Sequence, residues 1–287
     1  MSFTLVLNSN NVVPNGSNSK LQYKFIEGGI NIPDGAEMCL LSATIPYSFF
    51  NVRSDYYNNS SFSYKWPVNN VMTSFTVLMP NGFYNVNDIN NFMQSVFIAN
   101  GHYLVNSSGL YVYYLTMQYN ISYYAVQVVC YPIPTSLPSG YTNPSNVTVP
   151  TVATTPELII GTNNFGAIIG YKTGSYPATV QSTTQSFLSN ITPNASPVNS
   201  LIIRCNLVDN NAVMPSDILT SMPINGVFGS NLNFSPTFGH FVKLKAGKYA
   251  NLNMEIVDQN FNQVLASDPN LIITLLLRFN NTTNINK

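Results

Sequence analysis

The sequence predicts an all-β fold: a single jelly-roll antiparallel β-sandwich with long inserted loops and one short amphipathic helix. Three observations predict it. Apolar residues alternate with period two from one end of the chain to the other, the connections between these runs are long and rich in Pro, Ser, Thr and Asn, and one window alone has a clear helical period. Many strands joined by long connections and accompanied by one helix form the pattern of an antiparallel sandwich with Greek-key links.

Taken in order, the strand-like runs place Phe3, Leu5 and Leu7 on one face, then Leu21, Tyr23 and Phe25, then Cys39, Leu41, Ala43 and Ile45. Phe62, Tyr64 and Trp66 follow, and after them Phe75, Val77 and Met79. The middle of the chain carries Tyr111, Tyr113, Leu115, Met117 and Tyr119, then Tyr124, Val126, Val128 and Cys130. Tyrosines also fall on the opposite face there, at Tyr114 and Tyr123, and strands apolar on both sides are usually covered on both sides. The last third repeats the alternation at Leu201, Ile203, Cys205 and Leu207, at Leu252, Met254 and Ile256, and at Leu271, Ile273, Leu275, Leu277 and Phe279.

The helical window is Ile89, Phe92, Met93, Val96 and Phe97, spaced i, i+3, i+4, i+7, i+8, with Asn87 as N-cap and Gly101 as the stop. The longest connections run from Pro132 to Pro156, from Thr173 to Pro197 and from Asp209 to Pro236. Loops of that length are uncommon in compact domains and tend to be functional or ordered by contacts. No charge run or low-complexity linker divides the chain, and no internal repeat of fixed period is present. The expectation is one domain over residues 1–287, with surface excursions or a small insertion at roughly 132–156 and 173–197.

Charge is the informative part of the composition. Eleven basic and eleven acidic residues make 8% of the chain, where a soluble globular protein has roughly 25%. Asn, Ser, Thr and Tyr replace them, as in Asn8-Ser9-Asn10-Asn11, Asn58-Asn59-Ser60-Ser61 and the tail Asn280-Asn281-Thr282-Thr283-Asn284, and aromatics reach 13%. Net charge is zero, whereas free monomers normally keep it away from zero to stay soluble. A surface covered by neighbours explains this, because interface cores are depleted in charge and enriched in Tyr and Phe; codon bias of an AT-rich genome is the bland alternative for Asn and Tyr. Nucleic-acid binding would need a basic patch, and the one basic cluster, Lys243, Lys245 and Lys248, reads as a solvated or edge-blunting strand face.

The segment Met1 to Asn8 has no basic n-region and too short an apolar run for a signal peptide, so the chain is expected not to be secreted. The longest apolar stretch, Leu271 to Leu277, is far below the roughly 18 residues of a membrane span, so no transmembrane segment is expected. Cys39, Cys130 and Cys205 are widely spaced in strand-like runs and read as buried thiols. The sequons at Asn146 and Asn190 carry no functional meaning in a chain that is not secreted.

The search for chemistry returns no catalytic, cofactor-binding or metal residue, and no cofactor is expected. His102 and His240 each lack a second ligand nearby, and no C-x-x-C or H-x-H spacing exists to build a tetrahedral zinc site. The nucleophile elbow G-x-S-x-G is absent. Gly161 to Gly166 has the spacing of a P-loop start, but Ala167 and Ile168 stand where Lys and Ser/Thr are required. Glu255 and Asp258 could act as paired carboxylates only if they faced each other, and their parity on one strand aims them apart. An enzyme is therefore not expected.

Several stretches, in this order and spacing, resemble the penton (minor capsid) proteins of virophages of the Mavirus and Sputnik kind and of Polinton-like viruses. Glu37 to Val52 is similar to that family's early strand running into a Pro-aromatic-Asn-Val turn, and Asn85 to Asn100 to its amphipathic helix with Asn-rich flanks. Asn164 to Tyr171 resembles its apolar-Gly-aromatic stretch, and Ser200 to Val208 its strand ending in a polar-Leu-Val step. Asn251 to Asp258 and Ile272 to Phe279 look like its terminal strand pair, ending in an aliphatic-Arg-Phe step. The resemblance implies a jelly roll with an insertion that forms a homopentamer at each fivefold vertex of an icosahedral virus and contacts the double jelly-roll major capsid protein. It also implies a place in the virion capsid after assembly in the host-cell cytoplasm.

Physically, a jelly roll is a rigid wedge, and cyclic assembly through a heterologous interface closes a ring when the rotation fits. The competing class is a host-attachment or glycan-binding jelly-roll module on the virion surface. It predicts an aromatic and carboxylate patch on one loop cluster, whereas loops such as Thr142 to Asn146 show Thr, Asn, Pro and Ser and no acid.

Overall fold

Period-two burial along the chain translates directly into strand pairing. The computed structural model describes residues 1–144 and 148–279; the Asn-rich stretch 280–284 and the sequon residues Asn146 and Val147 lie outside the described residues. The chain divides into two compact units, residues 1–50 with 198 onward, and residues 51–197. Along the chain the first unit supplies β1 (Ser2–Leu7), β2 (Lys20–Lys24), β3 (Ile30–Ile32) and β4 (Glu37–Pro46). The second supplies β5 (Ser61–Val68), β6 (Val71–Leu78), α1 (Val86–Asn100), β7 (Leu104–Val105), β8 (Tyr111–Val112), β9 (Leu115–Asn120) and β10 (Ala125–Cys130). It continues with β11 (Glu157–Ile160), α2 (Phe165–Ile169), β12 (Gly174–Tyr176) and β13 (Gln185–Leu188). The first unit then resumes with β14 (Ser200–Cys205), β15 (Ile218–Pro223), β16 (Asn231–Phe234), β17 (Val242–Lys243), β18 (Gly247–Tyr249), β19 (Asn251–Asp258) and β20 (Ile272–Arg278).

The first unit is a jelly roll by its strand order. Its eight principal strands are β1, β2, β4, β14, β15, β16, β19 and β20, and they form two antiparallel sheets, β1-β20-β4-β16 and β15-β14-β19-β2. In chain order these are first-eighth-third-sixth and fifth-fourth-seventh-second, the wrapping of two Greek keys. Leu5 and Leu7, Ile273, Leu275 and Leu277, and Ala43 and Ile45 are the inward positions of the first sheet. Leu21, Leu201, Ile203, Met254 and Ile256 are those of the second. β17 adds to β4, and β3 pairs with β18 apart from both sheets.

One strand departs from the alternation. The reading that put Cys39 and Leu41 on the face of Ala43 and Ile45 fails at a β-bulge: Thr274 pairs with Ser42 but Leu275 with Leu40, which leaves Leu41 as the extra residue. Met38 and Leu40 therefore point inward, Leu41 is exposed, and Cys39 turns to the outer face. Cys39 stays buried there, in a region where Gly239 approaches its sulfur and the Arg278 guanidinium lies 3.6 Å from the Phe241 ring centre. The expected loop from Asp209 to Pro236 contains two jelly-roll strands, β15 and β16; the extra residue Leu219 breaks the period of β15, and brevity and two Asn hide that of β16.

The second unit has a core of its own. Two antiparallel sheets, β12-β11-β5-β6 and β13-β10-β9, contribute Phe62, Tyr64 and Leu158, and Leu115, Val126 and Val128, to one apolar cluster. The β5–β6 hairpin turns through Asn69 and Asn70, both at positive φ, the pair of left-handed residues that a tight two-residue connection requires. α1 buries Val86, Ile89, Met93 and Phe97, as its period predicts, and Asn90 Oδ1 accepts from Met117 N of β9 at 2.8 Å. Its N-cap is Asn85, not Asn87, because Asn85 and Asp88 form a reciprocal capping box; Gly101 closes it in the left-handed conformation. The short α2 was not read from sequence. Gly166 allows it to sit close, since a Cβ there would collide with the Tyr171 carbonyl and with Ile160.

The one-domain expectation thus meets a larger division: the inserted piece is all of residues 51–197. The segment expected as an excursion at 173–197 supplies β12 and β13 to the two sheets of this unit, and the one at 132–156 bridges Ile133 to Thr154. Asn51 clasps the two ends of the unit. Its amide donates to the carbonyls of Tyr84 (2.7 Å) and Ala195 (2.6 Å) and accepts from Tyr84 N (2.8 Å). Asn51→Leu leaves these buried groups unpaired and is expected to lower stability by more than about 2 kcal/mol. Ile98→Ala on the exposed side of α1 should change it by less than about 0.5 kcal/mol, both read from urea unfolding midpoints.

Candidate functional site

Charged side chains are few, and most of them are spent within the chain. Arg204 meets Asp217 in a two-pronged pair (2.8 and 3.1 Å) and reaches Glu255 at 3.7 Å, while Glu255 also meets Lys20 at 3.3 Å. This ladder crosses the outer face of the second jelly-roll sheet, with Arg204, Glu255 and Lys20 directly opposed on β14, β19 and β2. Arg278 pairs with Glu37 at 2.6 Å and Lys243 with Asp34 at 3.2 Å. In the second unit Lys65 meets Glu157 at 2.7 Å across β5 and β11, and Arg53 grips Asp55. The Lys243, Lys245 and Lys248 cluster forms no patch: Lys243 is paired, and Lys245 donates to the Asn206 carbonyl at 3.5 Å.

What the surfaces show instead is large and apolar. On the first unit Phe238 and Met214 are 85% and 92% exposed, with Val227 and Ile26 nearly as open. On the second unit the β9–β10 hairpin tip presents Ile121, Tyr123 and Tyr124 to solvent, and Tyr124 takes a positive φ that few aromatic residues adopt. Leu78, Val71 and Leu110 are also exposed. Scattered single apolar residues are ordinary; here they accompany a surface poor in charge.

The three thiols are free and buried, and burial pushes those of Cys130 and Cys205 up to about 12, far from reactive thiolates. Asp258 accepts from the backbone of Asn260 and Asn262, which makes it a turn residue, while Glu255 belongs to the ion-pair ladder; the two carboxylates do not meet. Gly161 to Gly166 leads into α2, so the phosphate-loop spacing there is coincidental. His240 is exposed. Among the described residues no group of three or more metal-type side chains converges, and no helix is long and apolar enough to cross a membrane.

His102 is different. Sequence reading found only that it lacks a second ligand nearby; in the structure it is 4% exposed and sits in an aromatic nest. Its ring stacks on Trp66 (4.9 Å between centres) and meets the edges of Phe75 and Tyr64. Asn100 Nδ2 donates to Tyr64 Oη at 2.9 Å, and His102 Nδ1, 2.7 Å away, is the one acceptor for that hydroxyl among the described residues, so the hydrogen-bond network assigns the tyrosine hydrogen to Nδ1. Nδ1 is then an acceptor, and the imidazole proton resides on Nε2. Burial pulls His102 down to about 4 and pushes Tyr64 up to about 12, so both are neutral at ordinary pH. Beside them lies a cleft of about 240 Å³ lined by Trp66, Pro67, Val68, Phe75, Asn100 and His102 together with Asn69 and Thr148. No signal short of the fold could have found it, because its residues come from a strand, its hairpin partner and a helix end.

The unfolded chain binds a proton at His102 near its ordinary 6.5 and the folded chain only near 4, so stability should fall as pH drops through that window. Urea unfolding at pH 7 and pH 5 should show a loss of about 2 kcal/mol attributable to this group, and His102→Phe should remove that part.

No protein-family model and no curated protein matches the sequence. Among solved structures, the chain is similar to the crystal structure of the mavirus penton protein, with 9% identity and a TM-score of 0.44 over 96% of this chain and 97% of that one. It is also similar to a chain in the cryo-EM structure of the Sputnik virophage, with 12% identity and a TM-score of 0.39 over 96% and 97%. Both scores lie below 0.5, and the jelly-roll assignment rests on the strand order itself.

Proposed function

We propose that the chain is a structural capsid protein, a penton that forms homopentamers at the fivefold vertices of an icosahedral virus and has no enzymatic role. The observation that carries this reading is the surface: large apolar side chains stand exposed on both units, while most charges are consumed in intramolecular pairs. Interfaces that bury about 800 Å² per partner need such a charge-depleted, aromatic-rich surface. The jelly-roll wrapping of the first unit supplies a rigid body whose copies can close a ring, and the motif resemblance from Glu37 to Phe279 supports a vertex position.

In this reading the partners are further copies of the chain and the double jelly-roll major capsid protein. The place is the virion capsid, after assembly in the host-cell cytoplasm. Specific nucleic-acid recognition is not part of the role, in keeping with the absence of a basic patch among the described residues. A second role in host attachment or glycan binding on the virion surface is favoured by one feature, the cleft beside His102.

Light scattering of the purified protein should give five times the 31.6 kDa chain mass, and the ring should persist in high salt because the contacts are apolar. A monomer at every concentration and salt would overturn self-assembly as the basis of the role.

A further inference from the structure

We propose that the cleft built by Trp66, Pro67, Val68, Phe75, Asn100 and His102 in the second unit binds one ring of a neutral sugar. The inference deepens the attachment reading and does not depend on the pentamer. Four features of the cleft point to that ligand.

None of its lining residues is charged, so an ionic ligand would enter without a counter-charge and lose its hydration. Its polar groups are fixed in direction by the relay Asn100 to Tyr64 to His102, which leaves His102 Nε2–H as a donor and Asn100 Oδ1 as an acceptor. Neither has a hydrogen-bond partner among the described residues, and because no buried side-chain polar atom there is left without one, both are open to solvent. A sugar hydroxyl both donates and accepts, which satisfies such a pair with adjacent oxygens.

The apolar wall is aromatic: the half-buried Phe75 offers surface to the C–H face of a pyranose, while Trp66, 3% exposed and stacked on His102, contributes little beyond its rim. The volume, about 240 Å³, is below the usual range for drug-sized ligands, and the cleft is partly open, so one ring enters and the rest of a glycan stays outside. The surrounding frame is firm: Asn70 at the hairpin tip accepts from Thr151 N and Oγ1 at 2.7 and 3.0 Å, which ties the segment after Thr148 to the β5–β6 turn.

Trp66 is the only tryptophan in the chain, so its fluorescence reads this cleft directly. Glucose, galactose, mannose and N-acetylglucosamine would be titrated in turn, with glycerol as the control. A saturable change for at least one sugar and none for glycerol is expected. His102→Phe, which removes the donor, and Val68→Arg, which blocks the mouth from an exposed position, should each weaken apparent affinity by about tenfold or more. Circular dichroism verifies that both variants are folded, and Val68→Arg decides the matter if His102→Phe is not. No saturable change with any of the four sugars, a response equal to that of glycerol, or one that survives Val68→Arg overturns the proposal. Because the readout does not involve oligomer mass, its failure leaves the capsid reading untouched.

Discussion

The first unit depends on one constraint: in each of its two sheets one central strand comes from the last forty residues of the chain. β20 lies between β1 and β4, and β19 between β14 and β2, so neither sheet exists until residues 251–278 have paired with strands more than two hundred positions earlier. The ladder continues past the strands, where Met1 and Phe279 exchange backbone hydrogen bonds at 2.7 and 3.0 Å. Such nonlocal pairing has a large loop-closure cost that apolar burial must offset. Leu275, Leu277, Met254 and Ile256, all fully or nearly fully buried, provide that burial on the strands that complete the sheets.

The same constraint explains why a 147-residue piece can be inserted between β4 and β14. Closure entropy rises only slowly with loop length, so lengthening a connection costs little once its ends are held by their own sheets. The insertion also holds its own ends: Asn51 bonds to Ala195 near the last residue of the unit, and residues from Val52 to Tyr171 form a buried apolar cluster within it.

Much of this was legible in the sequence, and the failures have physical causes. Alternation located β1, β5, β14, β19 and β20 because each has one face in a core and none carries the extra residue of a bulge, which falls on the partner strands β4 and β15. It failed at Leu41 and at Leu219 of β15, where one extra residue reverses parity, and at β16, which is too short and too polar to show a period. It joined Tyr111 and Tyr113 to Leu115, although the chain leaves one strand at Val112 and starts another at Leu115. Asn51, noted in sequence only as part of a turn motif, acts as a clasp that no spacing rule announces. The cleft was invisible for a related reason. A histidine becomes an oriented donor only when a tyrosine 38 positions away and an asparagine two positions away converge on it.

The ion-pair ladder on the outer face of the second jelly-roll sheet carries Lys20, Glu255, Arg204 and Asp217, two positive and two negative charges in one row. Opposed charges so close produce a field that decays within a few ångströms, and with a net charge of zero nothing restores it at longer range. Encounter with any partner is therefore left to unsteered diffusion, at roughly 10⁵–10⁶ M⁻¹ s⁻¹. Productive binding to any partner then selects by shape after collision, with charge giving little guidance to the encounter.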